Sequence, residues 1–572
     1  MPPLSAVLSA QKLREFLGVF TPKLATCLRE GYGLDRFWKD AVAGLTVAIV
    51  ALPLAMGIAI ASGATPQQGL FTAIIAGFII SALGGSRYQI GGPTAAFIVV
   101  VYGVIERHGY DGMLLATLTA GGLLVVAGLF RLGNYIKYIP YPVTLGFTAG
   151  IGISIFVGQT ADLLGLHTAR LPAAFVPKVH ALMMALPSFS ISTAVLAAGC
   201  LITMYLLHRF RPRWPYMLMV VTAATLAAAF FLPGIATIGE KFGDIPRLPP
   251  APQLPPFSLE KLRAVLPDAA TIALLSGIES LLSAVVADGM TGRRHRSNIE
   301  LVAQGLANIA SSLFGGLPAT GAIARTATNI RAGATSPVAG ILHALFLLLF
   351  MLIAAPLVLH VPLCALAAVL VVVAWNMSEV NVVGSFLTYA GWGDRLVILS
   401  TLLCTVFYDL TLGIEVGVVL AAIKFMHNMA NLVEVETNST LFEKDRPDVL
   451  RAPRPLFDVP DLPRDVIVYR IHGPFFFGAA SELTKVTSRI GSAPRLFVLD
   501  FQNVPLLDST GAASLKGIIE NMRRAGTKVI LTAVPPQVAR TLQRYEVGKG
   551  APNFELASSI HEALIRHPPK AK

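Results

Sequence analysis

Charge is what this sequence most lacks. Only 14% of its residues are Asp, Glu, Lys or Arg, against about 25% in a soluble globular chain, while the mean hydropathy is +0.66. The deficit is concentrated: no acid or base stands between Asp40 and Arg87, or between Arg331 and Glu379. Uncharged runs of that length exceed the ~20 residues a helix needs to cross a bilayer. They exclude an ordinary soluble domain and call for an integral membrane protein.

Cysteine is also scarce. Cys27, Cys200, Cys364 and Cys404 lie far apart, with no metal-type spacing and no disulfide framework, and read as small apolar residues. No nucleophile–base pair or metal constellation is evident, so neither an enzyme nor a cofactor is expected. The first ~35 residues lack the apolar core and cleavage site of a secretory signal, and the first span is expected to act as an uncleaved insertion signal. A net charge of +12 would suggest nucleic acid in a soluble protein. Here the bases cluster in short loops (Arg131 and Lys137; Arg209, Arg211 and Arg213; Arg293, Arg294 and Arg296), which is the cytoplasmic pattern of membrane proteins. No basic face interleaves with aromatics, so no nucleic-acid partner is expected.

The uncharged runs predict roughly fourteen segments. The first half comprises 40–63, 66–83, 94–105, 112–130, 142–158, 191–207 and 215–232. The second comprises 267–290, 298–314, 321–332, 337–355, 362–376, 395–407 and 412–427. An even number leaves both termini on one side, and the basic loops then fall on that side too. The third segment of each half is too short to cross as a full helix and follows a Gly/Pro break: Gly91-Gly92-Pro93-Thr94 and Gly315-Gly316-Leu317-Pro318. Short, interrupted segments in matching places point to a carrier built on inverted repeats, with its site at the breaks.

Charges return from about Val433, followed by a Pro-rich stretch from Pro447 to Pro463. Beyond it, alternating elements (strand 466–471, helix near 479–490, strand 496–501, helix 510–525, strand 528–532, then helices) suggest a small α/β domain. The expected organisation is an N-terminal segment over residues 1–35, a transport domain over 36–432, a linker over 433–464 and the α/β domain over 465–568.

Ionisable residues inside spans are costly unless functional or paired. Glu279 lies mid-span with no basic neighbour within a turn, and is expected to face the site and change protonation state; the alternative is a protonated glutamate that only bonds neighbouring helices. Arg325 falls in the first turns of the broken tenth segment, where fixed positive charge and free amides suit a carboxylate or sulfate. Its alternative is a salt bridge to Glu279. The amides of Thr94, Ala95 and Ala96 supply a second helix N-terminus, completing an anion cradle. Ser283, one turn after Glu279, either lines the same face or back-bonds to its own helix. His343 and His360 carry no assigned role. In the C-terminal domain, Asp508-Ser509-Thr510-Gly511 follows a strand and opens a helix. A hydroxyl there is a helix cap, or Ser509 is a site where phosphorylation would switch a docking surface.

These stretches resemble the sulfate permease (SulP) family of anion transporters with a C-terminal STAS domain. The likeness runs from Leu52 to the chain end through LPLAMGIAIASGATPQQGLFTA at Leu52, GGSRYQIGGPTAAF at Gly84, GIESLLSAVVADGMTG at Gly277, GAIARTATNIRAGATSP at Gly321 and DSTG at Asp508. YIPYPVTLGFTAGIGI at Tyr138 and AWNMSE at Ala374 are similar to the bacterial C4-dicarboxylate branch. The resemblance implies a helical polytopic fold of about fourteen segments, with two inverted halves forming core and gate domains. It further implies a homodimer in the inner membrane, with the N-terminus and the STAS domain in the cytoplasm and a cytosolic regulator at that domain. Carried over by position, Glu279 is the family's acid, Ala324 and Arg325 belong to the anion site, and Leu54 and Ile58 face substrate but cannot bind charge. Relatives that look sodium-coupled carry Asp where Glu279 stands and a hydroxyl where Ile323 stands, so protons are the expected coupling ion. The expected function is proton-driven uptake of fumarate, succinate, aspartate or a similar dianion. The alternatives are a sulfate or bicarbonate carrier, an anion-sensing signalling protein and a channel-like conductor.

Overall fold

The computed structural model describes residues 18, 20–136, 140–168, 171–211, 214–232, 234–431, 434–437, 465–476 and 494–568. They form two compact units, residues 1–421 and 422–572.

Among the described residues, nine helices are long and apolar enough to cross a membrane. In hydrocarbon every backbone N–H and C=O must be satisfied within its own segment, and the apolar runs become helices for that reason. After the short α1 (Lys23–Arg29) come α2 (Leu34–Ala61), α3 (Pro66–Leu83), strand β1 (Gly91–Gly92) and α4 (Phe97–Leu129). The third and fourth expected segments are joined in α4. The chain breaks inside it at Gly109, whose φ of 70° and extended ψ no side-chain-bearing residue would adopt cheaply. Then follow α5 (Tyr141–Leu164), α6 (Phe175–Ala185), α7 (Ile191–Phe210) and α8 (Tyr216–Phe231). The second half repeats the order with α9 (Leu259–Thr291), α10 (Ser297–Leu313), β2 (Thr320–Gly321), α11 (Ile323–Arg331), α12 (Val338–Val358), α13 (Leu363–Met377), α14 (Val380–Tyr389), α15 (Trp392–Phe407) and α16 (Leu410–Asn431).

These helices pack as two sets. One holds α2, α3, α4, α9, α10, α11 and α12, and the other holds α5, α7, α8, α13 and α15, with α16 packed on α5 and α15. They meet chiefly where α2 lies along α13. The first set is therefore the first four segments of each half and the second is the last three, the core and gate arrangement that the resemblance implies. Since lipid tails are as apolar as leucine, close packing and not hydrophobic burial joins such helices. α4 and α10 cross at paired glycines: a Cβ on Gly121 would lie 2.6 Å from the Gly305 carbonyl, and one on Gly305 would lie 2.5 Å from that of Gly121.

The second unit is a five-stranded sheet in the order β3-β4-β5-β6-β7, antiparallel between β3 (Glu434–Thr437) and β4 (Val466–His472). It is parallel through β5 (Leu496–Asn503), β6 (Lys528–Thr532) and β7 (Phe554–Ala557). The uninterrupted buried runs of β5 and β6 fit a parallel sheet covered on both faces. Helices α17 (Ser509–Arg524), α18 (Pro536–Arg544) and α19 (Ile560–Arg566) accompany it. β3 falls in the stretch read from sequence as linker: its alternation is too short to register alone, and pairing with β4 makes it a strand. The helix expected at 479–490 lies outside the described residues.

Candidate functional site

The two Gly/Pro breaks meet. β1 and β2 pair antiparallel, Gly91 opposite Gly321 and Gly92 opposite Thr320, so that α4 and α11 leave the pair in opposite directions with neighbouring N-termini. The crossing is held by amide and hydroxyl side chains. Asn308 on α10 donates to the Ala319 carbonyl and accepts from its amide, both at 2.9 Å. Thr72 accepts from the Leu317 amide at 2.6 Å, Thr320 donates to the Ser276 carbonyl at 2.9 Å, and the Ala322 amide bonds the Ile90 carbonyl at 2.9 Å. These groups restore the backbone bonds that a broken helix forfeits at membrane depth.

Each helix start is left open. Phe97 and Ile98 return to the carbonyls of Thr94 and Ala95, while the amides of Thr94, Ala95 and Ala96 meet no acceptor among the described residues. On α11 the first intrahelical bond is Thr326 to Ala322, and no side chain caps the helix. The amides of Ile323, Ala324 and Arg325 are therefore the unsatisfied donors of its first turn. Ile323 and Ala324 are exposed, whereas Ala95 and Ala96 are buried.

Arg325 folds back under β1. The residue is 3% exposed; its guanidinium donates from Nη2 to the Pro93 carbonyl at 2.6 Å, and Nε and Nη1 have no partner among the described residues. Gly92 gives it room, since a Cβ there would lie 2.5 Å from Nη1. Its φ of 149° also disfavours a side chain. A buried cation with two unpartnered nitrogens and no carboxylate beside it is costly unless an anion visits. The salt bridge weighed from sequence is not formed. Glu279, half-buried on α9, instead accepts the Thr94 hydroxyl at 2.7 Å, which ties the acid to the other helix start. Thr94 thus serves through its side chain as well as its amide.

The remaining expected residues fall as follows. Ser283 is fully buried and donates to Thr326 Oγ1 at 3.1 Å. Thr326 in turn accepts from the Ile90 amide at 3.1 Å, so Ser283 braces α11 from behind. It neither back-bonds to α9 nor opens on the helix starts. Leu54 and Ile58 lie one turn apart on α2, both buried in the main apolar core. In the second unit Ser509 is exposed at the first position of α17. The cap is Asp508, whose Oδ1 accepts from the Gly511 amide at 2.7 Å, so the capping role considered for a hydroxyl belongs to the acid.

Sequence reasoning passed over three buried polar residues. Asp40 takes the Tyr32 hydroxyl at 2.9 Å and the amide and hydroxyl of Ser336 ahead of α12. Its only sequence signal is an acid at the edge of an uncharged run. Asn308 is indistinguishable by pattern from any polar residue in a span. His343 is wholly buried, with neither ring nitrogen bonded among the described residues.

Paired broken helices, open N-termini and a buried guanidinium define a polytopic membrane transporter for anions. The chain belongs to the sulfate permease family, whose model matches residues 37–401, and the STAS domain model matches residues 460–563. It is 39% identical over 91% of its length to the putative sulfate transporter YvdB of Bacillus subtilis, covering 96% of that protein. It is 29% identical to the bicarbonate transporter BicA of Picosynechococcus, over 92% of this chain and 94% of that one. Among solved structures, the transmembrane domain of a cyanobacterial BicA superposes with a TM-score of 0.61 at 31% identity, covering 67% of this chain and 98% of that one. Murine Slc26a9, solved in the inward-facing state, shares the fold with a TM-score of 0.84 at 18% identity, over 97% of this chain and 94% of that one.

Proposed function

We propose that this chain is a secondary active carrier of small oxyanions, loaded between the N-termini of α4 and α11 and coupled to protons at Glu279. The observation that carries the reading is Arg325, buried with two guanidinium nitrogens unpartnered among the described residues. An oxyanion seated at the helix starts would supply the missing charge and take up their amides. Glu279 is coupled to the same place by its bond to Thr94, so a change in its protonation would be felt at the α4 start. Proton coupling is preferred to sodium because sodium needs several oxygen ligands, and the side chain of Ile323 offers none. Leu54 and Ile58 would shape the apolar wall.

For the cargo, the single guanidinium favours a compact anion such as sulfate or bicarbonate, which concentrates its charge at one point; the names of the relatives agree. A C4-dicarboxylate is the second reading, favoured by the presence of two helix N-termini, one for each carboxylate, and by the motif wording noted above. Competition in proteoliposomes decides: uptake of radiolabelled sulfate challenged with bicarbonate, succinate and fumarate. Displacement by succinate and fumarate alone would overturn the compact-anion reading. Radiolabelled sulfate and, in a parallel assay, radiolabelled succinate that both fail to enter would overturn the carrier reading for these cargoes. A homodimer in the inner membrane, with the STAS domain cytoplasmic and open to a regulator or to phosphorylation at Ser509, completes the proposal.

A further inference from the structure

Besides Asp40, a second acid of the transport domain is wholly buried and outside the anion site. Glu300, in the first turn of α10, is 0% exposed and makes four hydrogen bonds. Oε2 accepts the amides of Gly85 at 2.7 Å and Ser86 at 3.1 Å. Oε1 accepts Gln304 Nε2 at 2.9 Å and the Ser280 hydroxyl at 3.3 Å. The loop is drawn tightly onto the carboxylate: a Cβ on Gly84 would lie 3.0 Å from Oε2. The amide of Arg296, just before α10, bonds the Gly85 carbonyl at 3.0 Å and fastens the loop from its other side.

The chain of bonds continues toward the anion site. Ser280 is the residue after Glu279, and its hydroxyl accepts from Gln89 Nε2 at 2.7 Å, with its carbonyl accepting from the same nitrogen at 3.1 Å. Gln89 stands two residues before Gly91 of β1, and its side chain fills the space that a Cβ on Gly321 of β2 would need. Glu300 thus reaches both strands of the crossing through one serine and one glutamine, while the same turn of α9 carries the acid that meets Thr94. A buried carboxylate with four donors is a rigid fixture, because each donor is left unpaired if the acceptor goes.

We propose that Glu300 is a positioning residue of the anion site, which through Ser280 and Gln89 sets the separation of β1 and the α4 start from Glu279. It touches no substrate. The inference rests on reading Arg325 and the two helix starts as that site. Replacing Glu300 by Gln keeps the shape but turns one acceptor into a donor facing donors, so the loop and Gln89 must shift.

The test is uptake of radiolabelled sulfate by the purified full-length chain in proteoliposomes, with KM and maximal rate measured separately. Glu300→Gln is expected to raise KM roughly ten-fold, the effect of losing about one good hydrogen bond at the site, with the maximal rate little changed. Gln89→Leu and Ser280→Ala are expected to raise KM in the same direction. The double variant E300Q/S280A is expected to be no worse than E300Q alone, because both act along one path. Should E300Q fail to fold, Q89L and S280A carry the same test. An unmoved KM in E300Q and Q89L, or effects that multiply in the double variant, overturns the proposal. Arg325→Met is run beside them. If R325M loses sulfate uptake while the KM of E300Q and Q89L is unmoved, the positioning role fails and the site stands. If R325M transports as the parent does, the site reading fails and this inference with it.

Discussion

Arg325→Met separates a binding role from a structural one because it moves stability and affinity in opposite directions. The side chain is 3% exposed, makes one hydrogen bond, to Pro93, and leaves Nε and Nη1 unpaired. Methionine has similar reach and no charge. Substitution forfeits the bond to Pro93 and leaves that carbonyl bare, at a cost of about 1–3 kcal/mol. It also removes the desolvation penalty of an unpaired buried ion, which is several kcal/mol even after relaxation (roughly 3–5 when a buried pair is broken). The anion-free variant is therefore expected to be more stable than the parent by on the order of 1–2 kcal/mol. Binding should move the other way. A hydrogen bond to a charged group contributes roughly 1.5–3 kcal/mol, so affinity for a bound oxyanion is expected to fall about 10- to 100-fold. At sulfate concentrations near 100 times the parent's Kd, ligand stabilises the parent by about 2.7 kcal/mol. At the same concentration the variant, with Kd about 10- to 100-fold weaker, gains only about 1.4 to 0.4 kcal/mol. Melting of the purified protein with and without sulfate reads both effects. A variant that melts lower yet is stabilised by sulfate as the parent is would refute the reasoning and make Arg325 a structural residue.

Glu279→Gln preserves shape and can still accept the Thr94 hydroxyl, but it carries no titratable proton. Counterflow of sulfate is expected to survive while accumulation driven by an imposed pH gradient is lost, and undiminished pH-driven accumulation would remove Glu279 from coupling. Gly305→Leu places a branched side chain where even a Cβ lies 2.5 Å from the Gly121 carbonyl and 2.7 Å from the Val125 amide. Overpacking of about 1–3 kcal/mol or more should lower the melting temperature or abolish monodisperse protein on gel filtration, and normal melting would contradict the close crossing of α4 and α10. In the second unit, Lys528, His567 and Arg566 hold the Glu555 carboxyl down at about 2, below the ~4.3 of an unfolded glutamate. That stabilisation is whole above about pH 4.3 and fades as pH falls toward 2. Glu555→Gln is accordingly expected to destabilise near neutral pH by less than about 1 kcal/mol, as befits a partly exposed group. In acid titrations of the STAS unit followed by circular dichroism, the difference should shrink as pH falls below about 4.3 and be gone only near pH 2; a constant difference would discount the ion cluster.

Helix positions were legible because the bilayer enforces a simple rule: a long uncharged run must become a helix that satisfies its own backbone. The runs at 66–83 and 191–207 appear as α3 and α7 with ends within a few residues. The breaks at Gly91–Pro93 and Gly315–Pro318 were legible for the complementary reason, since clustered Gly and Pro disfavour a continuous helix. Arg325 and Glu279 stood out because charge is scarce inside spans. Local composition failed where a role depends on a distant partner. Asp40 and Asn308 are organised by residues in other elements, and neither Ser283 nor Ser509 announces in sequence which group it will meet. β3 was invisible because a four-residue strand has no periodicity to detect until β4 lies beside it.

By itself, then, the chain's order of residues determined a membrane protein of two matched halves, each broken at its third segment, with one base and one acid set among apolar neighbours. Only the tertiary structure decided that the breaks pair as β1 and β2, that Glu279 bonds Thr94 while Arg325 bonds Pro93 and forms no ion pair with that acid, and that Ser283 braces α11 from behind. The physical reason is range. Helix formation and helix breaking are local consequences of side-chain chemistry, but which donor meets which acceptor across 185 residues from Thr94 to Glu279 is set by how the helices pack.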